Sequence, residues 1–322
     1  MSRKLVAAAD KFTKEQAEQI RSTAEECGFT AFLYQKEEEA IPELKDAEVL
    51  FCRTANLPKY APDLRWCAST NAGVESLLVP GALPNEQCVL TNSAGAYGVT
   101  ISEHILMMTL CLLRKMPEYQ AMIREKYYTL DYLSQRSIHG SRITFMGTGD
   151  IGSTTAKIMK AMGAAKIVGL SKSGRRRSDA YDVCDKIDQA GKYLPDTDIL
   201  ILSLPSTPET KGALSRERIA CLPKNAIVVN VGRGVTVDQQ ALMDALNEEK
   251  IAGAALDVVT PEPLPKGDPL WDAKNLLLTP HCAGNLALGY TTQRVVDLFL
   301  DNFRKYAAGE PMHNIVERSI GY

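Results

Sequence analysis

The chain has 322 residues, with 37 Lys and Arg against 39 Asp and Glu, a formal net charge of -2. Its 45% hydrophobic and 24% charged content is that of an ordinary globular protein, long enough for two cores. This balance argues against a broad basic face for nucleic acid and against an acidic tail.

The N-terminal MSRKLVAAAD turns polar too soon for a signal peptide. No later stretch reaches the roughly 18 apolar residues of a membrane span, so neither a membrane nor a nucleic acid is an expected partner. Eight cysteines (Cys27, Cys52, Cys67, Cys88, Cys111, Cys184, Cys221, Cys282) are scattered without a CxxC pair. That usage points to a reducing compartment and a cytoplasmic location.

In chain order, KLVAAA (4–9) reads as a strand, followed by a helix opening at Thr13 with Gln16 as its capping-box partner and ending near Gly28. FTAFLY, AEVLFCR, RWCAST and CVLTN read as further short strands. From about Thr100, ISEHILMMTLCLLRKM predicts a long helix, apolar on most of its circumference and therefore buried between lobes. PEYQAMIREKYYTLDYLSQRSIHG reads as an exposed connection or a partner-contacting segment. RITFMG (142–147) is a strand, AKIMKAMG a helix and KIVGLS (166–171) the next strand. TDILILSLP (197–205), NAIVVNVG (225–232), IAGAALDVV (251–259) and NLLLTPH (275–281) are the apolar runs of fully buried parallel strands. TTQRVVDLFLDNFRKYAAG closes the chain as an amphipathic helix. Strands alternating with helices predict an α/β fold with parallel sheets, whose ligands bind beyond the carboxyl ends of the strands.

Gly147-Thr148-Gly149-Asp150-Ile151-Gly152 is a GxGxxG between a predicted strand and a predicted helix. In that context the glycines permit a tight turn, close backbone approach to a pyrophosphate and close helix–strand packing. An NAD-preferring site carries Asp or Glu about 20 residues further on. Here the second strand ends in Leu170-Ser171-Lys172-Ser173-Gly174-Arg175-Arg176-Arg177, with hydroxyls and cations but no acid. Ser171, Lys172, Ser173 and Arg175 therefore favour NADP(H), with NAD(H) possible; a solvated basic loop is the competing reading.

GTGDIG, NVGRG (230–234), LDVVTPEPLP (256–265) and LTPHCAG (278–284) occur in this order, with NAGVESL (71–77) and TNSAGAYGVTISEH (91–104) upstream. The set resembles the D-isomer-specific 2-hydroxyacid dehydrogenases over nearly the whole chain. The resemblance implies two Rossmann-like, doubly wound parallel-sheet domains. A cofactor domain (99–289) is inserted in a discontinuous substrate domain (1–98 and 290–322), with the active site in the cleft. Its catalytic residues map onto Arg233, Glu262 and His281. An arginine fork suits a substrate carboxylate and a ketone, a histidine can donate the proton, and Glu262 would orient the imidazole and favour its charged form.

Asn71, Ala72, Gly73 and Val74 match the loop whose amides receive the carboxylate, and Tyr97 lies near the expected substrate pocket. Thr100, Leu204, Pro205, Val231, Gly232, Asp257, Ala283 and Gly284 match cofactor-lining positions. No metal site is expected, and a homodimer is, with YYTLDYL offering an aromatic surface. Two departures occur: Cys282 follows the catalytic histidine, where the family usually has a hydrophobic residue, a mild change, and SIHGSRITFMG before the glycine loop differs from the commoner GKTLGIVG form. The expected reaction interconverts small 2-oxo and D-2-hydroxy acids, glyoxylate or hydroxypyruvate leading. A phosphoglycerate dehydrogenase-like enzyme and a non-catalytic dinucleotide-sensing module remain as alternatives.

Overall fold

The computed structural model describes residues 3–8, 11–130 and 133–321. It divides the chain into two compact units, Met1–Tyr97 with Asn285–Tyr322, and Gly98–Gly284. Each is built on its own parallel sheet.

The first unit contains β1 (Arg3–Ala8), α1 (Lys14–Glu26), β2 (Phe29–Tyr34), α2 (Glu37–Ala40), β3 (Val49–Cys52), β4 (Trp66–Ser69) and β5 (Val89–Thr91). The strand order is β2-β1-β3-β4-β5 and every pairing is parallel. All of β3 and β4 is buried, which is why VLFC and WCAS read as unbroken apolar runs. The expected capping box opens α1, with the Gln16 amide donating to Thr13 Oγ1 at 3.2 Å and the Thr13 amide to Gln16 Oε1 at 3.0 Å. Gly28, at φ +78°, turns the chain out of the helix. Ala9, expected to end the first strand, lies outside the described residues.

The second unit contains α3 (Gly98–Leu113), α4 (Met116–Arg124), β6 (Arg142–Met146), α5 (Asp150–Ala161), β7 (Lys166–Ser171) and β8 (Val183–Lys186). It continues with β9 (Ile199–Leu202), α6 (Arg216–Ala220), β10 (Ile227–Asn230), α7 (Gln239–Asn247), β11 (Gly253–Leu256) and β12 (Leu276–Leu278). Its sheet runs β12-β11-β10-β9-β6-β7-β8. The chain winds outward from β6 through β7 to β8, returns to β9 on the other side of β6, and continues through β10 to β12. The direction therefore reverses between β6 and β9, and a crevice at their carboxyl ends is the expected ligand position. Helix α3 packs on α5 and against β10 and β11. The remaining helix, α8 (Gly289–Ala308), belongs to the first unit, where Phe299 stacks on Phe51 with centroids 3.9 Å apart and on Trp66 at 5.5 Å.

Several elements, β8, α4 and α7 among them, are absent from the sequence reading. Strand β8 was not expected because VCDK is a half-exposed edge strand with no apolar run to mark it. Helix α4 occupies the start of the segment read as an exposed connection. It buries none of its residues, so tertiary burial left no pattern in the sequence, although Pro117 sits in its first turn. Helix α7 is capped by Asp238, whose side chain accepts the Ala241 amide at 2.9 Å. Asp131 and Tyr132 of the YYTLDYL segment lie outside the described residues. No helix among the described residues is long and apolar enough to cross a membrane.

Candidate active site

The glycine loop connects β6 to α5, and each glycine has a separate reason to be there. Gly147 adopts φ +109°, and a Cβ added to it would lie 2.8 Å from the Ser203 carbonyl oxygen. A Cβ on Gly152 would come within 2.2 Å of the Gly147 carbonyl oxygen, so helix and loop touch backbone to backbone. A Cβ on Gly149 would meet nothing within 4 Å. That open side lies at the N-cap of α5, where amide groups face outward and the helix dipole favours an anion. These residues fit a dinucleotide pyrophosphate. Thr148 is buried, Ile151 lies in the first turn of α5, and the Asp150 carboxylate lies against Gly98 at the start of α3, where an added Cβ would be 2.6 Å away. Thr100 is buried in α3.

Strand β7 delivers Ser171 to its carboxyl end, followed by a tight turn in which the Gly174 amide donates to Ser171 Oγ at 3.1 Å and the Arg175 amide to Ser173 Oγ at 3.3 Å. Lys172 extends from it, paired with Glu209 at 3.3 Å. Both side chains are exposed, and such a pair is worth at most about 1 kcal/mol, so the ammonium is readily lent to a ligand. Arg176, by contrast, is committed to the fold, donating to the Tyr181 and Asp182 carbonyls at 2.6 and 3.1 Å. Leu204, which is buried, and Pro205 lie in the loop that follows β9.

Arg233, Glu262 and His281 follow β10, β11 and β12, three adjacent strands of one sheet. The loop after β10 is pinned by Asn230, fully buried, which accepts the Gly232 amide at 3.0 Å and donates to the Arg233 carbonyl at 3.1 Å. Val231 and Gly232 are buried behind Arg233. The Arg233 guanidinium touches back on the Gly232 carbonyl at 2.8 Å. An added Cβ on Gly234 would sit 2.1 Å from the Val259 carbonyl oxygen, so the loops after β10 and β11 press together.

Glu262 uses both carboxylate oxygens, Oε1 accepting the Val259 amide at 3.0 Å and Oε2 facing His281 Nδ1 at 2.7 Å. His281 adopts φ +51°, a conformation costing on the order of 1–3 kcal/mol for a non-glycine residue. Its amide is held by the Asp257 carbonyl at 2.8 Å. Asp257, 2% exposed, anchors the same loop through its side chain: Oδ1 accepts Thr279 Oγ1 at 2.7 Å and the Cys282 amide at 2.9 Å, Oδ2 the Ala283 amide at 3.0 Å. Ala283 is buried and Gly284 ends the unit. The imidazole, with 47% of its side chain exposed, is thus aimed by a carboxylate on Nδ1.

The other sequence-derived candidates lie in the first unit. Asn71 donates from its side chain to the Arg53 carbonyl at 3.1 Å, and its amide donates to Ser69 Oγ at 3.1 Å. Asn92 donates to the Ala72 carbonyl at 3.0 Å, and Val74 is buried. The Tyr97 hydroxyl donates to the Thr70 carbonyl at 2.6 Å. Burial pushes that phenol up to about 12, against the pull of the nearby Arg53. Tyr97 therefore supports the 70–73 loop with its hydroxyl. Sequence reasoning passed over Asn230, Gln239 and Arg53; an asparagine at a strand end just before VGRG was the one legible signal, since it is a residue that clamps tight loops.

A glycine-loop nucleotide site, an arginine and a carboxylate-oriented histidine on the carboxyl edge of one parallel sheet define a dinucleotide-dependent dehydrogenase. Residues 106–283, over half of the chain, match the model of the D-isomer specific 2-hydroxyacid dehydrogenase NAD binding domain. The chain belongs to the D-isomer-specific 2-hydroxyacid dehydrogenase family. It is similar to a glyoxylate reductase of Aeropyrum pernix, 31% identical over 273 residues, which cover 82% of this chain and 80% of that protein. Among solved structures it resembles a D-isomer specific 2-hydroxyacid dehydrogenase family protein of Aeromonas salmonicida, with a TM-score of 0.87, 28% identity and coverage of 99% and 100%. It also resembles an NADPH-dependent glyoxylate/hydroxypyruvate reductase of Sinorhizobium meliloti solved with NADP and sulfate, with a TM-score of 0.83, 25% identity and the same coverage.

Proposed function

We propose that this protein reduces small 2-oxo acids to D-2-hydroxy acids, with NADP(H) preferred over NAD(H) and glyoxylate and hydroxypyruvate as leading substrates. The observation that carries the reading is the 2.7 Å contact between His281 Nδ1 and Glu262, beside Arg233 at the carboxyl edge of the sheet. The nicotinamide ring supplies the hydride when bound. Arg233 binds the substrate carboxylate and polarises the ketone. His281, its Nδ1 proton directed at Glu262, gives the Nε2 proton to the oxygen that becomes the alkoxide. Glu262 holds the imidazole ring in place through Nδ1 during that transfer.

NADP(H) is favoured because Ser171, Lys172, Ser173 and Arg175 stand where a ribose-binding acid would repel a 2′-phosphate. A homodimer and a cytoplasmic location belong to the same reading. Ile123, Tyr127, Tyr128 and Leu130, 56–90% exposed, offer the dimer an apolar surface, and a monomer mass by light scattering at micromolar concentration would sink it.

The test is nicotinamide absorbance with a panel of 2-oxo acids, run with NADPH and NADH in parallel. Oxidation of NADPH by glyoxylate or hydroxypyruvate is expected. A Lys172→Ala/Arg175→Ala variant should raise the KM for NADPH by roughly 10–100-fold, two charge-assisted contacts being lost, and leave that for NADH within about threefold. Equal losses would refute the cofactor preference. Dinucleotide binding without turnover of any acid would move the assignment to a sensing module.

A further inference from the structure

Cys282 takes a position where the family usually has a hydrophobic residue, and the structure surrounds it with two further ligating groups. His104 from α3, Asp257 at the end of β11 and Cys282 in the loop after β12 place their ligand atoms within 4.8 Å of one another. His104 Nε2 lies 3.6 Å from Asp257 Oδ1 and 3.0 Å from Thr279 Oγ1. All three residues belong to the same unit. We propose that His104, Asp257 and Cys282 form a three-ligand site for a thiophilic divalent cation, with Zn2+ as its type, and that its occupation inhibits the enzyme.

The donor set is the first argument. One imidazole, one carboxylate and one thiolate are borderline-soft ligands that suit Zn2+ and disfavour Mg2+ or Ca2+. Spacing is the second. Tetrahedral Zn2+ bonds of about 2.0–2.3 Å set ligand atoms roughly 3.3–3.8 Å apart. The three ligand atoms lie within 4.8 Å of one another, so they need to close by roughly 1–1.5 Å, with the cation on the open side of Asp257 Oδ2.

Charge is the third. Asp257 has 1% of its side chain exposed, and its partners among the described residues are neutral donors and the His104 ring. A divalent cation with Asp257 and a Cys282 thiolate makes a neutral site, which a buried position tolerates better than an uncompensated carboxylate. A carboxylate has about four lone-pair positions. Thr279, the Cys282 amide and the Ala283 amide occupy three, and the Cys282 thiol lies against the same carboxylate and the Thr279 hydroxyl. The cation thus takes the place of the thiol proton, which leaves to solvent. The His104 ring gives up its Nε2 hydrogen bond to Thr279 and carries its proton on Nδ1, and a water completes the tetrahedron.

Inhibition follows from position. Cys282 directly follows His281, and Asp257 holds the His281 amide through its carbonyl and the loop through its carboxylate. A cation that draws Asp257 and Cys282 together displaces the loop that aims the imidazole. This inhibitory half rests on the reaction proposed above, whereas the binding half does not.

The test titrates the purified protein with Co2+ and follows the near-ultraviolet thiolate-to-cobalt band, then displaces Co2+ with Zn2+. One equivalent should raise the band in the wild-type protein, and Mg2+ should not compete. Cys282→Val, which restores a residue type usual in the family, should abolish the band. His104→Gln, which retains a donor for Thr279, should weaken Co2+ by more than tenfold, since even outer-shell changes cost about 10–100-fold. NADPH oxidation should fall with the same Zn2+ dependence in the wild type and persist in Cys282→Val. No thiolate band in the wild type, or an unchanged band in Cys282→Val, overturns the site. Full turnover with the band saturated overturns the inhibitory half.

Discussion

At the scale of single residues, Glu262 has no oxygen to spare, since the Val259 amide holds one and the His281 ring the other. Its carboxylate is therefore fixed before substrate arrives, and its charge falls on the ring atom opposite the one that gives up the proton. Glu262→Gln keeps an acceptor near Nδ1 but removes that charge, so kcat should fall by about 10–100-fold with little change in the KM for the 2-oxo acid. His281→Ala removes the proton donor itself and should cost roughly 10²–10⁴-fold in kcat. Steady-state NADPH oxidation across pH 6–9 measures both. A His281→Ala variant with wild-type kcat would remove the histidine from the chemistry.

At the scale of elements, the site is assembled by loops that follow β10, β11 and β12, and the helix α7 holds the second of them in place. Gln239, at the start of α7, donates to the Thr260 carbonyl at 2.8 Å and accepts the Thr260 amide at 2.9 Å, gripping the backbone two residues before Glu262. Gln239 is a positioning residue. Gln239→Ala should lower kcat by about 3–10-fold while the KM for the 2-oxo acid and the affinity for NADPH stay unchanged. A matching rise in KM, or a loss confined to thermal stability, would assign it a structural part only. This role was not legible in the sequence, because a backbone clamp between α7 and a loop 21 residues away leaves no local pattern. What was legible followed from periodicity and strong turn chemistry. The runs ILIL, IVVN and GAAL are buried on both faces and read as parallel strands, and GTGDIG carries its own backbone requirements at Gly147 and Gly152. Strand β8 and helix α4, half or wholly outside the core, offered no such contrast.

At the scale of the whole molecule, the first unit must join an N-terminal run to a C-terminal helix across the inserted second unit, and Glu48 is where those distant pieces meet. Its carboxylate accepts Arg3 of β1 through Nη2 at 2.7 Å and Nε at 3.1 Å, and the Tyr306 hydroxyl of α8 at 2.8 Å. The Arg3 guanidinium lies over the Phe29 ring, 4.1 Å from its centroid, so β2 joins the same cluster. The hydrogen bond from Arg3 holds the Glu48 carboxyl below the usual carboxylate range, against the opposing effect of burial. A folded-state value below the unfolded one, about 4.3, contributes stability above that pH and loses it as the pH falls through the folded value. Hydrogen bonds to a charged group are worth about 1.5–3 kcal/mol, less here because Arg3 is more than a third exposed. Glu48→Gln should therefore lower the thermal midpoint of the first unit by about 3–6 °C at pH 7. The gap to the wild type should close as the pH falls past the unfolded value and through the lower folded one, because the wild-type carboxyl then takes up its proton and the two side chains become alike in charge. Differential scanning calorimetry from pH 3 to pH 7 reads this directly. A gap that stays constant to pH 3 would show that packing around Trp66 and Phe303, and not the charge on Glu48, ties α8 to the sheet.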